Sequence, residues 1–309
     1  MKVLIADDEA VTRRLLESSL RRWGYDVVVA KNGIEASQLL MSPDAPKLAI
    51  LDWMMPGLDG TQLCQEIRRN KPEPYTYILL LTGKRAQGDV ISGLDAGADD
   101  YVTKPFDPAE LKVRLRTGKR ILYLQEQLIN SREALRDQAT HDSLTGLWNR
   151  PAILDIVDSE VARALRQNVP VAIVMADLDS FKLINDTYGH PTGDDVLRTV
   201  SKAMRDSVRR YDSVGRYGGE EFLVVLPGCD QSNAVAHAER MRAAIARIVV
   251  ETPKGNIHPT MSFGVAVSDT HTGQDAFAMI QAADVALYRA KHGGRNRVEC
   301  ATAIELAVI

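Results

Sequence analysis

Arg216-Tyr217-Gly218-Gly219-Glu220-Glu221-Phe222-Leu223-Val224-Val225-Leu226 decides how the second half of this chain is read. Phe222 to Leu226 is an unbroken apolar run, the mark of a buried strand. Two adjacent glycines ahead of it signal a hairpin, because glycine tolerates positive φ and lets another group approach the backbone. Glu220 and Glu221 leave that turn side by side. Carboxylates held this close repel, so a divalent cation, a base or water must compensate. A solvated acidic turn is the simpler outcome, and the surrounding residues decide between it and a metal site.

Upstream, Val169 to Ala176 is a strongly apolar strand ending in Asp177-Leu178-Asp179. If the hairpin pairs beside that strand, Asp177 and Glu221 can share one or two divalent cations. Such an arrangement suits nucleotidyl transfer, where metal neutralises phosphate charge and lowers the pKa of an attacking hydroxyl. Downstream, Lys291 and Arg295 can hold a polyphosphate. Asn185 and Asp194 are able to pair with a base edge, and guanine, with its ring N–H and exocyclic amine, suits Asp194 as acceptor. Helices are predicted over Pro151–Arg166, from Gly193 to Val208, over Ser232–Ile248 and over Gln274–Lys291. A strand is predicted over Thr260–Val267, and a final one after Gly293-Gly294-Arg295-Asn296-Arg297. The mixture predicts an α+β domain over 140–309 with a partly antiparallel sheet. No Walker-type phosphate loop is present.

The first half, 1–118, alternates short apolar strands (Val3–Ala6, Asp26–Val29, Leu48–Leu51, Ile78–Leu81, Tyr101–Val102) with amphipathic helices. Repeated βα units predict an α/β domain, a five-stranded parallel sheet with helices on both faces. Sites in such sheets form beyond the carboxyl ends of the strands. Asp7, Asp8, Asp52, Thr82 and Lys104 all fall there. Singly, Asp7 and Asp8 read as helix caps and Lys104 as a surface lysine. Together, three carboxylates in one crevice call for a cation, and hard oxygen donors suit Mg²⁺. Lys104 adds a charge able to hold a phosphoryl oxygen.

Between the halves, residues 119–139 are rich in Leu, Gln, Glu and Arg. Ile121, Leu128 and Leu135 recur every seven residues, with Leu122 and Leu124 near the same face. The spacing predicts a helix continuing from the first domain, with Gly118 as a kink at its entry and a short, marginal coiled-coil seam. The whole chain has 309 residues and a net charge of -3, which gives no general attraction to nucleic acid or anionic membranes. Its three cysteines are far apart and imply neither a metal site nor a disulfide framework, so a reducing cytoplasm is expected. The N-terminus turns acidic at Asp7, too early for a signal peptide, and no apolar run is long enough to span a bilayer. No basic recognition helix points to DNA.

Two resemblances follow from these motifs. Asp7-Asp8, Leu51-Asp52-Trp53-Met54-Met55-Pro56-Gly57-Leu58-Asp59-Gly60, Leu81-Thr82 and Thr103-Lys104-Pro105-Phe106 resemble the receiver domain of two-component response regulators, a flavodoxin-like fold. The resemblance implies that Asp52 accepts a phosphoryl group from a histidine kinase. Asp7 and Asp8 would help to hold Mg²⁺, Thr82 and Tyr101 would form a switch pair, and Lys104-Pro105 would adopt the family's cis peptide. The second half resembles the GGDEF family of diguanylate cyclases, in its GGEEF form. The blocks are Asp177 to Lys182, Asn185 to His190, Gly193-Asp194, Gly218 to Phe222, Thr260 to Ala266 and Tyr288 to Val298.

This second resemblance implies a fold like the palm of polymerases and nucleotidyl cyclases. The implied reaction joins two GTP into cyclic di-GMP and releases two pyrophosphates. Asp177, the Leu178 carbonyl and Glu221 would ligate Mg²⁺ or Mn²⁺, and Glu220 would assist at the ribose 3′-hydroxyl. Asn185 and Asp194 would read guanine, Lys182, Lys291 and Arg295 would hold phosphates, and the Gly218-Gly219 backbone would lie against the nucleotide. Arg209 and Asp212, at RxxD spacing, with Arg240 on the following helix, resemble a product-inhibition site; a basic helix end is the plainer account. A homodimer is expected, because each catalytic domain would hold one GTP. The alternative is a catalytically silent module that binds GTP or cyclic di-GMP and signals through contacts. The apolar tail, Ala301–Ile309, matches no motif.

Overall fold

The computed structural model describes residues 1–70, 73–83, 87–268 and 275–302, with the backbone alone at 87–90. The chain forms two compact units, Met1–Arg132 and Glu133–Ile309. The tail beyond Thr302 and the predicted helix start at Gln274 lie outside the described residues.

The first unit is built on β1 (Lys2–Ala6), β2 (Asp26–Ala30), β3 (Leu48–Asp52), β4 (Tyr77–Thr82) and β5 (Asp100–Thr103), in the order β2-β1-β3-β4-β5 and parallel throughout. Strands β3 and β4 are buried from end to end, as their unbroken apolar sequences require. The helices α1 (Ala10–Arg22), α2 (Gly33–Met41), α3 (Gly60–Asn70), α4 (Gln87–Asp95) and α5 (Pro108–Thr140) alternate with the strands. Two apolar clusters occupy the sheet's two sides: Leu4, Leu51, Leu63 and Ile67 belong to one, Ile5, Leu16, Ile50 and Leu111 to the other. Consecutive strand residues thus face opposite layers.

Gly118 lies inside α5, which continues through it to Thr140. A Cβ there would meet the Tyr77 ring at 2.5 Å, so close packing calls for a glycine at this point. The division between the two units falls inside the same helix, between Arg132 and Glu133.

In the second unit, α6 (Arg150–Gln167) is capped by Asn149, whose side chain accepts from Ala152 N–H. There follow β6 (Val171–Leu178), α7 (Phe181–Tyr188), α8 (His190–Ser207), β7 (Ser213–Arg216), β8 (Glu221–Pro227), α9 (Gln231–Ile245), β9 (Val250–Thr252), β10 (Gly255–Ile257), β11 (Met261–Val267), α10 (Ala276–His292) and β12 (Val298–Cys300). The main sheet runs β12-β11-β6-β8-β7. It is antiparallel except for β11 with β12. Helices α8 and α9 pack on one face, around Phe222, Phe263, Val196 and Met241, and α6 and α10 on the other, around Ile173, Val225, Ile153 and Met279. The small hairpin β9–β10 has no counterpart in the sequence reading. Its strands are too short to carry a periodic signal.

Candidate active site and receiver crevice

Hairpin β7–β8 places the acidic turn. Arg216 pairs with Phe222 across the ladder, and Tyr217 to Glu220, the four residues between the two strands, turn the chain. Positive φ is not the reason for the two glycines: neither Gly218 nor Gly219 belongs to the left-handed glycines of this chain. A Cβ on Gly218 would meet Glu221 Oε2 at 2.5 Å, whereas one on Gly219 would meet nothing within 4 Å. Gly219 therefore leaves open, exposed space above the turn.

Strand β8 is the direct neighbour of β6, and the register sets Glu221 opposite Asp177. Leu178 N–H donates to the Glu220 carbonyl at 3.1 Å, which extends the pairing into the turn. Asp177 is 5 % exposed, and its Oδ2 accepts from Lys291 Nζ of α10 at 2.7 Å. Burial pushes the Asp177 carboxyl up to about 6, against the pull of Lys291 and with Glu220 and Glu221 adding repulsion. The ladder thus sets Glu221 beside Asp177, and Lys291 is bonded to Asp177. Among the described residues, the one group of three carboxylates with oxygens mutually within 4.8 Å is Asp7, Asp8 and Asp52.

Asn185 and Asp194 stand on facing elements, α7 and α8. Asn185 Oδ1 is buried and without a partner, and Gly193 is what admits it, since a Cβ there would lie 1.9 Å away. An unpartnered buried acceptor suits a polar ligand. Lys182 is exposed on α7, and Arg295 is exposed in the loop after α10. Arg209, exposed, caps nothing: its guanidinium donates to the Tyr211 hydroxyl at 2.7 Å and lies over that ring at 5.7 Å. Asp212 is buried and accepts from the Arg209 N–H at 2.8 Å, so it shapes the backbone turn that carries Arg209. Arg240 is exposed on α9.

The structure adds residues that spacing did not single out. Arg216 donates to the carbonyls of Gly218 (3.2 Å) and Gly219 (2.8 Å), and its Nη1 reaches both oxygens of Asp142 at 3.1 and 3.2 Å. Asp142 in turn accepts from the N–H and the hydroxyl of Thr145. The glycine turn is therefore braced from the segment that follows α5. The Asp-x-x-Thr spacing was the available signal, because it is a side-chain-to-backbone turn. Asp179 is the other addition, and it is taken up below.

In the receiver crevice, Asp7 and Asp52 are buried and Asp8 is exposed. Lys104 Nζ donates to Asp7 Oδ2 at 2.7 Å and lies 2.9 Å from Asp52 Oδ2. Burial raises the Asp52 carboxyl, with Lys104 pulling the other way. Burial also works against the Lys104 charge, yet its hydrogen bonds to Asp7 and Asp52 raise it overall. Thr82, at the end of β4, is buried, and Tyr101, on β5, is half-buried against the core. The Lys104–Pro105 peptide is cis. An oxygen-only donor set of this size fits a hard divalent cation.

The chain thus carries two modules, a five-stranded parallel sheet with an acidic crevice and a mixed sheet with an acidic hairpin. Family comparison is consistent with that division. Residues 139–297 match the family described as diguanylate cyclase, GGDEF domain, and residues 3–116 match the response regulator receiver domain. The chain belongs to the GGDEF family and carries a receiver domain ahead of the GGDEF domain. It is 31 % identical to the response regulator PleD of Caulobacter vibrioides over 308 residues, 96 % of this chain and 65 % of PleD. To the diguanylate cyclase DosC of Escherichia coli it is 40 % identical over 61 % of this chain and 40 % of DosC. The chain thus spans less than two thirds of the length of these relatives. Among solved structures, the coiled coil and GGDEF domain of DgcB from Caulobacter crescentus, in complex with c-di-GMP, aligns with a TM-score of 0.56 and 32 % identity. That alignment covers 62 % of this chain and 99 % of the DgcB chain.

Proposed function

We propose that the chain is a phosphorylation-regulated diguanylate cyclase that condenses two GTP into cyclic di-GMP and two pyrophosphates. The observation that carries this reading is the register of Glu221 opposite Asp177 at the mouth of a hairpin whose Gly219 leaves space for a ligand. Asp177, the Leu178 carbonyl and Glu221 hold Mg²⁺ or Mn²⁺. When bound, the metal neutralises phosphate charge and lowers the pKa of the attacking 3′-hydroxyl. Lys291, now on Asp177, is the nearest cation to that carboxylate and holds substrate phosphate together with Lys182 and Arg295. Asn185 and Asp194 read the guanine edge, with the unpartnered Asn185 Oδ1 as one acceptor. Glu220 assists at the 3′-hydroxyl. Each domain presents one such half-site, so two copies must face each other for the bond between nucleotides to form.

The receiver supplies control. Asp52 is the phosphoacceptor for a histidine kinase, Asp7 and Asp8 hold Mg²⁺ beside it, and Lys104, Thr82 and Tyr101 respond to the phosphoryl group. Arg209, Asp212 and Arg240 form a product-binding inhibition site. The purified protein with Mg²⁺ and GTP is expected to release cyclic di-GMP and pyrophosphate, and Glu221→Ala to abolish both with the melting temperature unchanged. Normal turnover by that variant contradicts the metal assignment. GTP binding by the wild type without product at any protein concentration would favour the silent module.

A further inference from the structure

Asp179 stands two residues beyond Asp177, and the roles above leave it unused. It is 7 % exposed, and three donors converge on it. Ser262 Oγ donates to Oδ1 at 2.7 Å, while Thr260 Oγ1 and the Asn296 backbone N–H donate to Oδ2 at 2.8 and 3.0 Å. Its own N–H donates to the Thr260 carbonyl at 2.8 Å. Two of these partners belong to β11 and the segment before it, so part of the work is joining β6 to its neighbour. The Asn296 N–H is different, because it belongs to the loop that carries Arg295.

That loop has an unusual backbone. Arg295 and Asn296 have φ of 59° and 47° in succession, a region that L side chains adopt rarely and keep only when the surroundings hold them there. Both ends are tied to main chain. Gly293 N–H donates to Arg289 O and Arg295 N–H to Ala290 O, and Phe263 N–H donates to Arg297 O. Between those ties, the left-handed pair is fastened by Asp179 on the Asn296 N–H and by Arg242 Nη1 on Asn296 Oδ1 at 2.9 Å. A carboxylate suits the place because it accepts from all three groups at once; an amide accepts through one oxygen alone and makes the hydroxyl facing its NH₂ serve as acceptor.

We propose that Asp179 is a positioning residue, which fastens the loop after α10 in its left-handed turn and so aims Arg295 at the phosphates of a nucleotide held beside Asp177. One short segment, Asp177-Leu178-Asp179, then grips this region twice, through Lys291 on α10 and through Asn296 in the loop. The inference rests on reading Arg295 as a phosphate ligand.

The test is a double-mutant cycle with Asp179→Asn, Arg295→Ala and the pair, read by binding of 3′-deoxy-GTP with Mg²⁺ and by turnover of GTP. Arg295→Ala is expected to weaken binding roughly tenfold, Asp179→Asn several-fold, and the pair no more than Arg295→Ala alone. In turnover, Asp179→Asn raises KM and leaves kcat nearly unchanged, the mark of lost binding common to ground and transition states. Should Asp179→Asn fold poorly, Thr260→Val carries the same cycle, since it removes one donor from the same oxygen and keeps the side-chain shape. Effects that multiply in the pair, or normal binding by the Asp179 variant beside a weakened Arg295→Ala, overturn the positioning role. Normal binding by Arg295→Ala overturns the phosphate reading, and the positioning role with it.

Discussion

Asp177 is where opposing influences on one carboxyl meet. Burial and two neighbouring glutamates favour the proton, and Lys291 favours the charge. The folded-state pKa, about 6, lies above the ordinary value. The sign follows: the metal-free protein loses stability as pH rises from about 4 through 6, because the buried charge must form. Metal-free Asp177→Asn is therefore expected to be more stable than wild type above pH 6, on the order of 1–3 kcal/mol, with the gap closing below about pH 4. Denaturant unfolding in EDTA across that range checks it, and an equal gap at both ends contradicts it. Asp142 runs the other way. Burial raises its carboxyl, but hydrogen bonds from Thr145 and the Arg216 charge hold it below the usual value. Its contribution is present above about pH 4 and lost as pH falls through the lowered folded value. Asp142→Asn should thus cost about 1–2 kcal/mol at pH 7 and little in acid; unfolding curves at the two pH values decide. Asp177 and Glu221 were legible in the sequence because each stands at the end of an apolar run. Asp179 was not, because its Asn296 partner is 117 residues away and no local pattern announces it; for Asp142 the local Asp-x-x-Thr spacing marks the turn, but its Arg216 partner is 74 residues away.

Among elements, the hairpin and α10 do most to build the site, and both depend on glycines used for contact. Gly264 in the middle of β11 lies against α10 so closely that a Cβ would stand 2.1 Å from the Ala283 carbonyl and 2.2 Å from the Leu287 nitrogen. Those are backbone atoms of the helix that carries Lys291, and they cannot swing aside. Gly264→Ala is expected to destabilise the second unit by about 3 kcal/mol or more, the upper range for overpacking, although alanine suits a strand no worse than glycine. Calorimetry of the full chain should show that unit melting earlier; an unchanged melt means that α10 can retreat from the sheet. Long, strongly patterned elements such as β3, β4, β6 and α5 could be placed from the sequence. The reason for Gly118 and for Gly218 could not, because in each case the glycine answers to a side chain it meets: Tyr77 in one, Glu221 in the other.

For the molecule as a whole, the acidic crevice of the receiver and the acidic hairpin of the GGDEF domain belong to separate units of one chain. Helix α5 contributes to both and exposes Leu124, Leu128 and Leu135. A seam of this kind is marginal alone, which under the proposed function would suit an association tipped by a phosphoryl group at Asp52. Leu128→Glu is expected to lower turnover at a given protein concentration at least severalfold and to leave the melting temperature of each unit unchanged; sedimentation alongside the assay would attribute the loss to fewer dimers. The paired domains were legible from their motifs, whereas the division between Arg132 and Glu133 was not, because it falls inside a helix whose pattern does not change there. The coupling itself is tested most directly by the rate of cyclic di-GMP formation from GTP and Mg²⁺ over a wide range of protein concentration, with and without beryllofluoride, for wild type and Asp52→Asn. The account expects a specific rate that climbs with concentration, a climb that beryllofluoride moves to lower concentration in wild type and leaves in place in Asp52→Asn. A specific rate independent of concentration, or a beryllofluoride response that survives the loss of Asp52, would contradict it.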